Sequence, residues 1–213
     1  MAAADFSVTK FKANLKHGGA RPSLFRVIFN YPSGIAKPTP PDQASFLVKT
    51  ATIPASTIGS YDVFYHGKAI HVAGDRTFDT WDTTIINDED FGIRNTLESW
   101  MAAISNHSLN TRDKSLFNTS GGTYRSEGDV ARYKSTLQVQ QLSKAGENLR
   151  TYIFKGAWPS ALSTINLDWS TQEIEEFTCT WVYDSWHSVA TGGGSTSQSI
   201  QNVQNITGTT TGF

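Results

Sequence analysis

GKAIHVAGDRTFDTWDTTIINDEDFGIRNTLESWMAAIS, Gly67 to Ser105, is the stretch where the chain changes pattern. It opens with strand-like alternation and passes through a tight Ala73-Gly74-Asp75-Arg76 corner. It then continues as an aromatic strand through Phe78 and Trp81 to Ile86. Asn87-Asp88-Glu89-Asp90 ends the alternation. Asn87 or Asp88 is placed to cap a helix, and Glu89 and Asp90 meet its positive end. Ile93, Leu97, Trp100, Met101 and Ile104 share one helical face, while Arg94, Asn95, Glu98 and Ser99 fall away from it. A helix with one apolar face needs a surface to lie on, and the other segments must build that surface as a sheet.

Upstream, Tyr61–Tyr65 and Lys68–Val72 flank His66-Gly67, an x-Gly pair that predicts a hairpin turn. Tyr61, Val63, Phe64, Tyr65, Ile70 and Val72 make this hairpin apolar, which fits burial either against another chain or in its own core. The segment from Ile53 to Gly59 is irregular, and strands are expected over Leu24–Asn30 and Phe46–Thr52. The prolines between Tyr31 and Pro41 impose a loop between those strands. Downstream, the Gly/Ser/Asn-rich run 106–128 predicts a long surface loop. Strands follow at Val130–Leu142, Leu149–Lys155, Leu162–Trp169 and Ile174–Trp186, with a break at Gly156-Ala157-Trp158-Pro159. The division is an N-terminal arm (1–20), one domain (21–187, helix about 88–105) and a Gly/Ser/Thr-rich C-terminal arm (188–213). Seven or eight strands with one helix predict a mainly β, α+β domain, either sandwich or barrel.

Charged residues are 17% of the 213, and the formal net charge is −1. A free nucleic-acid binder would carry a basic excess to neutralise phosphates, so that class is disfavoured. Near-zero charge favours self-association. One cysteine, Cys179, rules out an intrachain disulfide framework and sits among strand residues as a small hydrophobe. No apolar run reaches the ~18 residues of a spanning helix, and the expectation is a soluble product of a reducing compartment.

Candidate chemistry is sparse. Phosphate-binding glycine loops and a G-x-S-x-G elbow do not occur. His17, His66, His71, His107 and His187 are dispersed, without metal-ligand spacing. Asp75, Asp79 and Asp82 form an acidic cluster that could serve glycoside hydrolysis. Turn stabilisation and solvent-facing positions explain it more economically. Trp81, Trp100 and Trp181 could line a sugar-binding face, but each falls in register with apolar neighbours, which points to core packing. No catalytic residues, cofactor, metal or small-molecule substrate are expected.

Five segments carry a family likeness: ARPSLFRVIF (Ala20–Phe29), TATIPASTIG (Thr50–Gly59), HVAGDRTFDTWDTTIINDED (His71–Asp90), KGAWPSALSTINLDW (Lys155–Trp169) and EEFTCTWVYDSW (Glu175–Trp186). In this order they resemble the tail tube proteins of contractile-tailed bacteriophages, which are related to the tube protein of type VI secretion. The resemblance covers roughly 20–105 and 130–187; the 106–128 loop and the chain after His187 lie outside it. It implies two packed antiparallel sheets forming a β-barrel, one flanking helix and an extended hairpin.

The function implied is non-enzymatic. Subunits would form six-membered rings that stack into the inner tube of the tail, assembled in the host cytoplasm and carried in the virion. Sheath, baseplate and tail terminator proteins are the implied partners, and DNA would pass through without sequence-specific binding. Pro54, Ile58, Tyr61, Phe64, Tyr65, Gly74, Asp75 and Arg76 are the candidates for contact between rings and subunits. Gln138, Gln140, Thr178 and Thr180 are the candidates for facing the lumen. A type VI-like tube component is the alternative within the class, and a carbohydrate-binding β-sandwich the alternative outside it.

Overall fold

The computed structural model describes residues 7–15, 19–32, 35, 40–109, 111 and 133–190. The C-terminal arm after residue 190 and, within the 106–128 loop, residues 110 and 112–128 lie outside the described residues. In chain order the elements are α1 (Val8–Asn14), β1 (Phe25–Phe29), α2 (Pro41–Phe46), β2 (Val48–Ala51), β3 (Thr57–Tyr65), β4 (Lys68–Thr77), β5 (Trp81–Ile86) and α3 (Gly92–Ile104). β6 (Ser135–Leu142), β7 (Asn148–Leu162), β8 (Glu176–Val182) and β9 (Ser185–Ala190) complete the chain.

The fold is mainly β and antiparallel, as expected. Its strands form one seven-stranded sheet in the order β1-β6-β7-β8-β5-β2, with β9 also on β7, plus the separate β3-β4 ribbon. The expectation of two packed sheets closing into a barrel is therefore corrected. Among the described residues β1 and β2 end the path without pairing with each other.

The reason lies in β7. At 15 residues it is long enough to belong to both halves of the sheet. Its first part pairs with β6 on one side and β9 on the other, and its last part pairs with β8. The predicted break at Gly156–Pro159 is absent, because the chain bends there without leaving the ladder. Gly156 adopts φ +67°, and a Cβ at that position would collide with the Asp184 carboxylate. Asp184, in the bend between β8 and β9, is held there by its N–H, which donates to the Lys155 carbonyl at 3.0 Å, and by Lys134 Nζ at 2.8 Å. Pairing with β6 ends at Ala157, so β7 then has β8 on one side only. A proline is tolerated where one side of a strand has no partner, which is why Pro159 fits. The strand expected over Leu162–Trp169 is instead a loop beyond Leu162.

The helical expectations shift in detail. α3 starts at Gly92, after Phe91 in the left-handed region (φ 52°), and Asp88 Oδ1 accepts from the Gly92 N–H at 3.3 Å. Ile93, Leu97 and Trp100 are buried as predicted, while Met101 and Ile104 are half-buried. α1 forms within the expected arm, and α2 begins at the last proline of the expected loop. Proline fits a first helical turn, where its missing N–H has no partner to lose.

Aromatic rings dominate the core. Trp81, Trp100, Trp181, Phe29, Phe154 and Phe177 are its largest fully buried side chains. Trp181 lies 5.7 Å from Phe29, 5.7 Å from Trp100 and 6.3 Å from Trp81, centroid to centroid. Trp81 stacks on Phe154 at 4.4 Å. Each such burial contributes roughly 1.5–3 kcal/mol. Replacing Gly156 with Ala is expected to cost about 2–4 kcal/mol, from the positive φ and the displaced Asp184. Urea denaturation of the dilute variant measures this loss, and a midpoint equal to wild type would show that the bend does not depend on glycine.

Candidate assembly interface

Among the described residues β3 and β4 pair only with each other. His66 (φ 46°) and Gly67 (φ 81°) both take positive φ at the turn, the geometry of a tight two-residue hairpin. The register places Tyr61 opposite Val72, Val63 opposite Ile70 and Tyr65 opposite Lys68. Those side chains share one face because strand side chains alternate. The other face carries Asp62 and His71, whose side chains meet at 2.5 Å, and Phe64. Tyr61 is 55%, Phe64 74% and Tyr65 67% exposed, so nothing among the described residues covers the apolar ribbon. Among the described residues this exposure does not match burial in the protein's own core.

Two indole hydrogen bonds anchor the ribbon near its base. Trp81 Nε1 donates to the Thr52 carbonyl at 2.8 Å, and Trp186 Nε1 donates to the Ala55 carbonyl at 3.1 Å. Pro54 is buried in this anchored segment, whereas Ile58, Asp75 and Arg76 are exposed on the ribbon. The expected corner at Ala73–Arg76 is instead a bulge within continuous β4, where Gly74 and Asp75 stand opposite the single residue Gly59 of β3. A Cβ on Gly74 would sit 3.3 Å from the Gly59 carbonyl oxygen, so the glycine permits this close backbone approach.

The polar candidates fall into two bands on the sheet face away from the aromatic core. Gln138 and Gln140 stand beside Ile28 and Arg26 of β1. Thr178 and Thr180 stand beside Thr84 and Asp82 of β5. Thr180 Oγ1 donates to Asp82 Oδ1 at 2.6 Å, and the Thr84 and Thr178 hydroxyls lie 3.5 Å apart. The β7 bend separates the two bands, and all four candidate side chains are half-buried.

Chemistry finds little purchase here. Among the described residues no group of His, Cys, Asp and Glu could hold a metal ion. Asp82 is engaged with Thr180. Cys179 is fully buried, and burial, reinforced by the Asp82 charge, pushes its thiol well above its ordinary value. Trp81, Trp100 and Trp181 lie in the core, which removes them from any sugar-binding face. One surface escaped the sequence reading. Leu167, Trp169 and Ile174 are 80%, 105% and 71% exposed on the loop between β7 and β8, where a strand was expected. Asp168 was the available signal: its Oδ1 accepts from both the backbone and the hydroxyl of Ser170, a turn rather than a strand.

The family described as "Phage tail tube protein" matches residues 20–189. The chain belongs to the phage tail tube protein family. The tail tube protein gp19 of Enterobacteria phage T4 is 30% identical over 169 residues, covering 78% of this chain and 90% of gp19. The tail tube protein of Serratia phage KSP90 is 25% identical over 176 residues, covering 81% and 92%. Among solved structures, a chain of the anti-feeding prophage baseplate superposes with a TM-score of 0.55 at 11% identity, covering 82% of this chain and 97% of that one. A chain of the PVC sheath/tube terminator of an extracellular contractile injection system gives 0.52 at 14%, covering 78% and 94%. At these identities the structural likeness establishes the fold. The tail tube family is structural and not enzymatic, and its members are virion components.

In this tail tube protein a raised thiol means little thiolate at neutral pH, and burial also blocks reagents. Cys179 is expected to resist maleimide at pH 7–8 in the native protein and to react fully in denaturant. Mass spectrometry after a short pulse reads the difference, and rapid native labelling would contradict the buried placement.

Proposed function

We propose that the chain assembles into six-membered rings stacked as the inner tube of a contractile phage tail. The observation that carries this reading is the uncovered apolar ribbon β3-β4 on a member of the tail tube family. Exposed apolar surface of this kind marks a protein interface. In the proposed assembly Ile58, Tyr61, Phe64 and Tyr65 of the ribbon seat against the next ring. Pro54, Gly74, Asp75 and Arg76 set the angle at which the ribbon leaves the domain.

Within a ring, the open edges β1 and β2 pair with neighbouring subunits, so that the sheets close collectively around the channel. Such closure satisfies backbone groups that an isolated edge leaves open to aggregation. The polar bands containing Gln138, Gln140, Thr178 and Thr180 then face a wet lumen. Uncharged amides and hydroxyls give passing DNA few cationic partners to hold it. Sheath outside the tube, a baseplate at one end and a terminator at the other complete the proposed set of partners. Structurally similar chains occur in a baseplate and in a sheath/tube terminator complex.

Negative-stain microscopy of the purified protein should show rings or striated tubes. Tyr61→Asp with Phe64→Asp should lower tube yield by about tenfold or more while the circular dichroism of the domain stays native. Unchanged tube length and yield in that variant would remove the ribbon from ring stacking. Duplex DNA should show no measurable retention at physiological salt, and tight retention would argue against a non-adhesive conduit.

A further inference from the structure

A second apolar projection lies outside the ribbon. The loop between β7 and β8 carries Leu167, Trp169 and Ile174 in the open, with Trp169 exposed across its whole surface. A bare indole presents roughly 150–250 Å² of mostly apolar area to water. The loop is not loose: Asp168 takes two hydrogen bonds from Ser170, at 2.9 and 2.8 Å, and the Thr171 N–H donates to the Asp168 carbonyl at 3.2 Å. Trp169 is therefore held outward by a turn.

The same chain carries a matching hollow. A cleft of about 630 Å³, lined mostly by apolar atoms, opens between the segment before β1 and the β6–β7 turn. Leu24, Leu142, Ala145 and Leu149 line it. Its size falls within the roughly 300–1,000 Å³ of pockets that take a bulky apolar group. The chain's own α1 lies near the rim, with Leu15 Cδ1 3.6 Å from where a Gly19 Cβ would stand, but does not fill the cleft. Val8 and Phe11 of that helix stay 69% and 66% exposed.

Projection and cleft sit at opposite ends of β7, which starts at the cleft and ends at the loop. That strand spans up to roughly 50 Å, so one molecule cannot bring its own projection to its own cleft. Charge is complementary as well. The loop side bears Asp168, Glu173 and Glu175, and the cleft rim bears Arg21 and Lys144 against Glu147. Hydrogen bonds from Ser170 hold the Asp168 carboxyl below its ordinary value, so it stays charged.

We propose that Trp169, flanked by Leu167, inserts into the Leu24/Leu142/Leu149 cleft of a second copy of this chain, as a head-to-tail contact of the assembly. Two unlike complementary patches on one subunit make a heterologous interface, the kind that propagates rings and stacks. The contact rests on the assembly reading above and is separate from the ribbon.

The test uses the full chain with cysteines at chosen positions, Cys179 being buried and unreactive. Subunits carrying Thr171→Cys, on the exposed loop beside an intact Trp169, are mixed with subunits carrying Ala145→Cys, assembled and oxidised. A disulfide-linked dimer is expected from the mixture and not from a mixture of Leu109→Cys with Ala145→Cys. Trp169→Ala should raise the protein concentration needed for assembly by roughly 30-fold, the size of a hot-spot truncation, with native circular dichroism. If wild type forms rings or tubes but Trp169→Ala assembles equally well and no cross-link appears, this contact is wrong and the assembly reading stands. If wild type stays monomeric at every concentration, both fall. A cross-link from Phe11→Cys to Ala145→Cys, with none from Thr171→Cys, would assign the cleft to the N-terminal helix and overturn the proposal.

Discussion

The domain depends on three buried indoles whose N–H groups all find partners. Trp181 Nε1 donates to Thr83 Oγ1 at 3.0 Å, Trp81 Nε1 to the Thr52 carbonyl at 2.8 Å and Trp100 Nε1 to the Tyr133 carbonyl at 2.7 Å. A buried polar group without a partner costs about 1–3 kcal/mol, so each bond converts a liability into a tether. The tethers tie different parts of the chain together. Trp181 joins β8 to β5, Trp81 fixes the segment leading to the ribbon, and Trp100 fixes α3 to the chain entering β6. With its aromatic core satisfied in this way, the domain can leave the ribbon and the β7–β8 loop outside.

Local chemistry was legible in the sequence wherever it was decided by near neighbours. His66-Gly67 between two alternating runs specified the hairpin, because positive φ at a two-residue turn is a local demand. Ile93, Leu97 and Trp100 specified the buried face of α3, because helical spacing fixes which side chains share a side. The alternation of Phe177, Cys179 and Trp181 identified the inward face of β8, and all three are buried.

What the sequence hid depends on who lies next to whom. Gly156-Ala157-Trp158-Pro159 looks like a break because glycine and proline disfavour strands. Yet β6 ends beside Ala157 and Asp184 fills the space that a side chain at Gly156 would need. Leu162–Trp169 looks like a strand because apolar residues recur there, and that recurrence is the same whether they cover their own core or project from it. Sheet closure is likewise invisible: nothing in β1 or β2 records whether the adjacent edge belongs to the same chain. The polar candidates Gln138, Gln140, Thr178 and Thr180 could be placed on a face, but not in front of a channel, for the same reason.

The continuity of β7 also has a mechanical meaning. Between Arg150 and Lys155 this strand has ladders on both sides, and there a pull along its axis is resisted in shear, where many hydrogen bonds must yield together. The ribbon is different, since its two strands can be peeled apart from the open end one pair at a time. Load entering the domain along β7 is thus carried by covalent backbone across the bend, with no reliance on side-chain packing between the two halves. Under strain the domain should remain intact while its projecting elements give way first.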